Sequence, residues 1–167
     1  MQDPMNNIIL IGMPGAGKST VGVILAKARG MQFIDTDIVI QEQAGRLLQE
    51  MIDEDGAERF KKNEERTILS LHARNAVIAT GGSVVFSRRA MEHLKSTGIV
   101  LYLAVSFEEM ERRLRNITTR GIVRVPGQSL RDMYNERIPL YEQYADRTIE
   151  CTSDDFETVV RNIMDEL

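Results

Sequence analysis

Short apolar segments alternate along this chain with longer segments in which apolar residues recur every three or four positions. The short segments are rich in isoleucine, valine and leucine, which is typical of buried β-strands, and the longer ones have the period of amphipathic helices. The predicted strands cover residues 7–11, 32–35, 76–79, 98–103 and 147–151. The predicted helices cover residues 18–29, 37–44, 47–55, 57–74, 87–95, 106–115, 129–144 and 154–165.

This alternation predicts an α/β fold, a parallel five-stranded sheet with helices on both faces. A chain of 167 residues favours a single domain over residues 1–167, and no repeat or proline-rich linker marks a boundary within it. Ligands of such sheets bind at the carboxyl ends of the strands. Polar or glycine-rich segments follow directly after the first three strands, at residues 12–19, 35–37 and 81–83. The sequence therefore predicts one site at one edge of the sheet.

The segment after the first strand, residues 12–19, has the spacing G-x-x-x-x-G-K-[ST] of a phosphate-binding loop. Its glycines allow successive backbone N–H groups to turn toward phosphate oxygens at the start of a helix. Lys18 is predicted to reach the β- and γ-phosphates, and the Ser19 hydroxyl is predicted to bind Mg²⁺. The predicted nucleotide-binding residues of this segment are Gly12, Gly15, Ala16, Gly17, Lys18, Ser19 and Thr20. The protein is expected to bind a nucleoside triphosphate.

Asp35 and Asp37 flank Thr36 where the second strand ends. A phosphoryl transferase needs one acid on the Mg²⁺ side and another that orients or deprotonates the acceptor hydroxyl, and this pair could supply both. The structural alternative is an aspartate that caps the next helix, and one aspartate could serve both purposes. After the third strand, Gly81 and Gly82 allow the backbone to approach a ligand, although a glycine pair alone is a weak signal.

Seven arginines and no lysine lie between residues 112 and 137. Those at 112–115 follow glutamates at helical spacing, which predicts that some of them form solvated surface ion pairs. Arg120 and Arg124 lie instead in a segment with Gly121 and Pro126 and without helical period. Such a segment suits a mobile lid that closes over phosphates, because the arginine fork binds phosphate bidentately. The charged face of residues 58–66 is predicted to be solvated, except for Lys61.

Composition argues against several other classes of protein. The net charge of −4 gives no basic field to attract nucleic acid, and no apolar stretch approaches the roughly 20 residues that span a bilayer. The single cysteine, Cys151, cannot form an internal disulfide, which fits a reducing cytoplasm. Residues 1–4 precede Met5 and are interpreted as a leader. We expect a cytoplasmic monomer whose partners are small molecules, with no nucleic acid and no membrane.

Taken together, these segments resemble the shikimate kinase family, within the nucleoside monophosphate kinase-like P-loop kinases. The resemblance runs from about residue 7 to residue 167 and rests on 12–19, Phe-Ile-Asp-Thr-Asp at 33–37, residues 56–61 with Glu64 and Glu65, 80–82, and Arg-Ile-Pro-Leu-Tyr at 137–141. It implies the P-loop three-layer sandwich with strand order 2-3-1-4-5. It also implies an acceptor-binding subregion at about 37–74 and a lid at about 117–128.

The resemblance further implies a role for individual residues. Lys18, Asp37 and Arg120 would be catalytic, and Ser19 and Asp35 would hold Mg²⁺. Arg113 and Arg120 would join the phosphate-binding loop in holding ATP. The acceptor, shikimate, would be bound by Asp37, Lys61, Gly81, Gly82 and Arg137.

Three positions depart from the family pattern. Lys61 replaces the arginine that grips the shikimate carboxylate, Ser83 replaces a third glycine, and Gly121 replaces a proline after the lid arginine. A lysine keeps the charge of that arginine but loses its bidentate fork. The favoured interpretation is a kinase that makes shikimate 3-phosphate and ADP from shikimate and ATP. A kinase for another small hydroxylated acid or nucleotide, or a nucleotide-binding regulatory protein that has lost transfer, remains the alternative.

Overall fold

The structure is a computed structural model, and it describes residues 6–115, 121–152 and 154–167. Five strands form one sheet in the order β2-β3-β1-β4-β5, and every neighbouring pair is parallel. The strands are β1 (Asn7–Ile11), β2 (Gln32–Asp35), β3 (Ala76–Ala79), β4 (Gly98–Ala104) and β5 (Arg147–Glu150). The predicted α/β class, the parallel sheet and the strand order are confirmed.

Helices follow each strand. They are α1 (Lys18–Arg29), α2 (Thr36–Ala44), α3 (Leu48–Asp55), α4 (Ala57–Leu69), α5 (Arg88–Lys95), α6 (Phe107–Arg115), α7 (Leu130–Tyr144) and α8 (Phe156–Glu166). A short 3-10 helix, Val84–Phe86, precedes α5 and was not expected from the sequence. Most predicted boundaries agree with the structure within one or two residues.

The helix predicted over 57–74 is too long, because α4 ends at Leu69. Ser70 caps it: its backbone N–H bonds to Arg66, and its hydroxyl donates to the carbonyl of Thr67 at 2.8 Å. The chain then turns through Asn75, which has a φ of 51°, before β3 begins. A serine that bonds to its own helix end competes with further helical turns, and that local competition is invisible to the apolar periodicity.

The order of the strands places helices on both faces of the sheet. The chain runs from β1 past β3 to β2 in one direction, and later from β3 past β1 to β4 in the other. Since crossovers between parallel strands are right-handed, α1 and α5 cover opposite faces. The reversal occurs at β1, the central strand, whose five residues are all buried. The carboxyl end of such a strand is where open α/β sheets bind ligands.

Two separate apolar clusters stabilise the fold. The main core surrounds the sheet, with Ile9, Leu10 and Ile78 essentially inaccessible to solvent. A second, smaller cluster lies among α2, α3, α4 and the segment after residue 120. Its buried members are Ile40, Leu48, Met51, Phe60 and Val123. Of the helices in the described ranges, none is both long and apolar enough to cross a membrane.

Candidate active site

The three segments that follow β1, β2 and β3 line one cavity of about 170 Å³. The residues around it are Pro14, Lys18, Ser19, Asp35, Asp37, Ile38, Phe60, Glu64, Thr80, Gly81, Gly82, Ser83, Gly121, Ile122, Val123 and Arg137. Parallel strands end at the same edge of the sheet, so residues distant in sequence meet there. We call this space the acceptor cavity.

The phosphate-binding loop runs from β1 into α1. Gly15 and Gly17 have φ values of 81° and 92°, and a Cβ on Gly17 would lie 2.5 Å from the Phe156 ring, so glycine is required there. Helix α1 has no acidic residue in its first turn, which leaves its positively polarised end suited to an anion. Lys18 lies across the loop and donates to the carbonyls of Gly12 and Met13 at 2.7 and 2.8 Å.

The other predicted members of the loop lie around this lysine. Ala16 is buried and its backbone N–H bonds to the Met13 carbonyl at 3.1 Å, which tightens the turn. Thr20, in the first turn of α1, is exposed to solvent and does not line the acceptor cavity. The loop therefore presents a buried lysine and a helix start to the site.

Ser19 and Asp35 form the predicted metal side. The Ser19 hydroxyl donates to Asp35 Oδ2 at 2.6 Å, and Asp35 Oδ1 accepts from the backbone N–H groups of Asp37 and Ile38 at 3.0 and 3.4 Å. Asp35 is therefore the cap of α2, the structural alternative, while its second oxygen faces Ser19. A hydroxyl beside a carboxylate is the oxygen donor set that Mg²⁺ accepts, with nucleotide phosphates and water as further ligands. No cluster of three or more acidic, histidine or cysteine ligands occurs among the described residues.

Asp37 and Glu64 meet across Gly81. A Cβ on Gly81 would lie 2.7 Å from Asp37 Oδ1 and 2.8 Å from Glu64 Oε2, so a side chain there would displace one or both carboxylates. Ser83 donates to Glu64 Oε1 at 2.7 Å. Burial raises the pKa of Glu64 to about 7, and the Asp37 charge adds to the rise, against the opposing influence of Ser83 and of the Arg137 and Lys61 charges.

The position of Glu64 corrects the expectation of a fully solvated charged face on α4, because Glu64 is only 3% exposed. A signal for this burial is present in the sequence. Phe60, Glu64, Thr67 and Ile68 have the i, i+4, i+7, i+8 spacing of one helix face, and all four are buried. The charge of Glu64 concealed its membership of that face.

Arg137 projects from α7 into the same cavity and is 2% exposed. Its Nη2 donates to the carbonyl of Val123, and its guanidinium lies 5.3 Å from the Phe86 ring centre. A Cβ on Gly82 would come within 2.8 Å of Pro14 and 3.1 Å of Arg137 Nη1. Tyr141 donates to the Gly82 carbonyl at 2.6 Å and so fixes this turn.

Lys61 does not line the acceptor cavity. Its Nζ pairs with Glu58 at 2.9 Å and lies 4.9 Å from the centre of the Phe86 ring. Lys61 borders instead a neighbouring surface pocket on the far side of Glu64 and Ser83. The ammonium and the Arg137 guanidinium thus contact the same ring, but only the guanidinium faces the cavity. Acceptor binding by Lys61 stays a prediction.

The arginines of α6 behave in two ways. Arg112 pairs with Glu109 at 2.6 Å and Arg115 with Glu111 at 2.8 Å, which confirms the predicted surface pairs. Arg113 donates to the Gly15 carbonyl at 3.0 Å and lies 5.6 Å from the Phe156 ring, beside the phosphate-binding loop. Its predicted place near adenine stays a prediction.

Arg120, in the predicted lid, lies outside the described residues. Residues 121–123, the next part of that lid, line the acceptor cavity.

A phosphate-binding loop at the end of β1, facing a cavity with an aspartate and a buried arginine, defines a P-loop small-molecule kinase. Comparisons with known proteins give the family. A shikimate kinase family model matches residues 14–167. The chain is 37% identical over 163 residues to the shikimate kinase of Pasteurella multocida, covering 95% of this chain and 93% of that protein. It is 41% identical over 150 residues to that of Paracidovorax citrulli, covering 87% and 82%. The chain belongs to the shikimate kinase family.

Solved structures agree with this assignment. The shikimate kinase of Acinetobacter baumannii, in complex with shikimate, superposes with a TM-score of 0.89 at 33% identity, covering 96% of this chain and 92% of that one. The shikimate kinase of Aquifex aeolicus gives a TM-score of 0.80 at 28% identity, covering 95% and 94%.

Proposed function

We propose that this chain transfers the γ-phosphoryl group of ATP to a hydroxyl of shikimate, forming shikimate 3-phosphate and ADP. Family membership supports both substrates. One observation in the structure carries the proposal. Lys18 on the phosphate side and Asp37 and Arg137 on the acceptor side line a single cavity, so donor and acceptor groups would meet within it.

The residues divide the work of such a transfer. Lys18 and the loop amides would hold the β- and γ-phosphates, and Asp37 would accept a hydrogen bond from the acceptor hydroxyl and take its proton as transfer proceeds. Arg137 would hold the acceptor carboxylate, and Gly81 and Gly82 would let the backbone approach the acceptor. Arg120 would stabilise the charge on the transferring group, with Arg113 beside the nucleotide base. Lys61 would add positive charge near the acceptor carboxylate.

Mg²⁺ is part of the proposal. Ser19 and Asp35 would hold it, because their 2.6 Å hydroxyl–carboxylate pair faces the cavity and both are oxygen donors. When bound, Mg²⁺ neutralises charge on the β- and γ-phosphate oxygens. Asp35 would then exchange the Ser19 hydrogen bond for the ion or its water while its other oxygen continues to cap α2.

We extend the proposal to the organisation of the chain. Residues 1–167 would form one kinase domain, with an acceptor-binding subregion at about 37–74 and a lid at about 117–128. The small apolar cluster joins α2, α3 and α4 to Val123. It therefore supports an association between the acceptor-binding subregion and the lid. The protein would act as a monomer in the cytoplasm.

A coupled assay of ADP release with shikimate, gluconate and nucleoside monophosphates tests the function directly. We expect MgATP-dependent turnover with shikimate and little with the other acceptors. Higher turnover with another acceptor would show that shikimate is not the substrate. No stimulation of ADP release by any acceptor would favour a regulatory nucleotide-binding protein. Omission of Mg²⁺ should abolish turnover in the same assay.

A further inference from the structure

Glu64 is a buried ionisable residue in the wall of the acceptor cavity, and the proposed transfer gives it no part. Only one of its two carboxylate oxygens is satisfied: Oε1 accepts from Ser83 at 2.7 Å. Oε2 is buried without a hydrogen-bond partner among the residues the structure describes. A buried acceptor left open in this way is rare in folded proteins and needs an explanation.

A buried hydrogen-bond donor in the same cavity also lacks a partner among the described residues. Within the described part of the chain, Arg137 Nε is also buried without a hydrogen-bond partner, although Nη2 bonds to Val123. Glu64 and Arg137 come from different helices, α4 and α7, and both line the acceptor cavity. These two atoms fit a ligand that offers both a hydrogen-bond donor and an acceptor, and a hydroxylated carboxylic acid such as the proposed acceptor has both.

The charges around Glu64 come from several elements. Helix α2 contributes Asp37, α7 contributes Arg137, and Lys61 lies one turn earlier on α4 itself. The far wall of the cavity contributes Lys18 and Asp35.

The other described neighbours of α4 named here either carry no charge or pair their charges elsewhere. The 3-10 helix has only apolar side chains. Helix α5 meets α4 through Arg89, which pairs with Glu65 at 3.4 Å. The acidic residues at the end of α3, Glu54 and Asp55, pair with Arg46. Neither histidine of the chain is among the residues lining the cavity.

We propose that Glu64 is a proton-controlled residue of the acceptor site, which admits the acceptor carboxylate when neutral and excludes it when ionised. Neutral Glu64 leaves Arg137 available to the acceptor carboxylate and offers an Oε2 hydrogen to the acceptor. Ionised Glu64 is an internal carboxylate that competes with the acceptor for Arg137 and adds a second negative charge beside Asp37. This inference rests on the proposed function, because it requires an anionic acceptor.

The pKa of about 7 places the change within the physiological range. If acceptor binding favours the neutral form, binding takes up a proton wherever Glu64 is otherwise ionised, and affinity falls as the pH rises above 7. Ser83, one of the departures from the family pattern, matters here because its hydrogen bond favours the ionised form. Ser83 therefore lowers the pH at which the change occurs, against the larger influence of burial.

Calorimetric titration of shikimate into the full chain between pH 5.5 and 8.5 tests this, with buffers of different ionisation heat to count protons. We expect the affinity to fall about five- to tenfold from pH 6 to pH 8, with proton uptake above pH 7. Glu64→Gln keeps an oxygen to accept from Ser83 and a donor for the acceptor, and should bind shikimate with little pH dependence. Glu65→Gln, the neighbouring change on the side of α4 that meets α5 and outside the acceptor cavity, should behave like the unchanged protein.

Ser83→Ala provides an independent arm that does not alter Glu64 itself. Its affinity should fall at a higher pH than that of the unchanged protein, because the ionised carboxylate loses a hydrogen bond. A pH-independent affinity in the unchanged protein, or the same pH profile in Glu64→Gln, overturns the inference. If Glu64→Gln fails to fold, the Ser83→Ala variant tests the inference alone: a fall in affinity at a higher pH supports it, and an unchanged or lower pH overturns it. No shikimate binding at any pH would instead overturn the proposed function, and the inference with it.

Discussion

The nucleotide side and the acceptor side of the cavity satisfy their polar groups in different ways. On the nucleotide side, Lys18 donates to two loop carbonyls at 2.7 and 2.8 Å, and Ser19 donates to Asp35 at 2.6 Å. On the acceptor side, Glu64 and Arg137 each retain a buried atom without a hydrogen-bond partner in the described residues. The fold itself therefore organises the nucleotide side, whereas the acceptor completes the other side.

The difference extends to sequence. The departures at Lys61 and Ser83 fall around the acceptor side, and the phosphate-binding loop has none. Changes on the nucleotide side should therefore act on the chemical step, and changes on the acceptor side should act on substrate affinity and on pH dependence. The following variants test that division.

The largest effect is expected from Lys18→Ala. Loss of one preorganised charge at the phosphates should lower kcat by about 10²–10³-fold, the range for removing such a donor. Steady-state kinetics with MgATP and shikimate measure it. Lys18→Met, which keeps most of the buried stem, should lose as much activity while retaining the melting temperature of the unchanged protein. Full turnover in either variant would contradict the assignment of the nucleotide side.

Arg137→Lys should act on the acceptor side. It keeps a buried positive charge but loses the open Nε, so the KM for shikimate should rise by an amount equivalent to about 1.5–3 kcal/mol. The KM for ATP should change little. Arg131→Lys is the matched control, since Arg131 is exposed on the same helix and lies 3.8 Å from the Phe107 ring. Equal increases in the KM for shikimate and the KM for ATP would contradict the separation of a nucleotide side from an acceptor side.

Glu64→Gln should also change the pH dependence of stability. The Glu64 pKa lies at about 7 in the fold against 4.5 in an unperturbed chain, so the fold favours the neutral form. Ionisation therefore costs stability progressively as the pH rises from 4.5 to 7. Glu64→Gln lacks this cost, and urea unfolding should show it gaining about 2–3 kcal/mol over the unchanged protein at pH 8 relative to pH 5. Equal differences at both pH values would contradict the burial of Glu64.

Lys61→Ala should have the smallest effect. The ammonium is paired with Glu58 at 2.9 Å outside the cavity. We therefore expect the KM for shikimate to rise by an amount equivalent to about 1 kcal/mol or less. Glu58→Gln, which frees the ammonium, serves as the companion variant. A loss of about 1.5–3 kcal/mol in Lys61→Ala would show that Lys61 leaves Glu58 to hold the acceptor, in which case Lys61→Arg should lower that KM.

Sequence reasoning succeeded where a structure depends on local spacing. The phosphate-binding loop, the strand β1 before it and the cap at Asp35 follow from neighbouring residues whose geometry permits few alternatives. The strand order came from family resemblance, because periodicity predicts which segments are strands and not which of them are neighbours.

The rest depended on contacts between distant segments. Glu64 is held by Ser83, 19 residues away, and pattern reasoning assigned it to solvent because charged residues are rarely fully buried. Lys61 has a local partner, Glu58, at i−3, and the family pattern predicts a distant one in the acceptor; sequence alone does not rank them. The family pattern favoured the distant partner, whereas the structure shows the local one.

The small apolar cluster of Ile40, Leu48, Met51, Phe60 and Val123 has a consequence for motion. Because it is much smaller than the main core, we expect the helices that share it to form the less stable cooperative unit of the molecule. Their amide hydrogens should exchange with deuterium well before those of β1 and β3. Shikimate would slow that exchange even in α3, none of whose residues lines the acceptor cavity. The opening of this unit would then limit how quickly the acceptor enters and the product leaves.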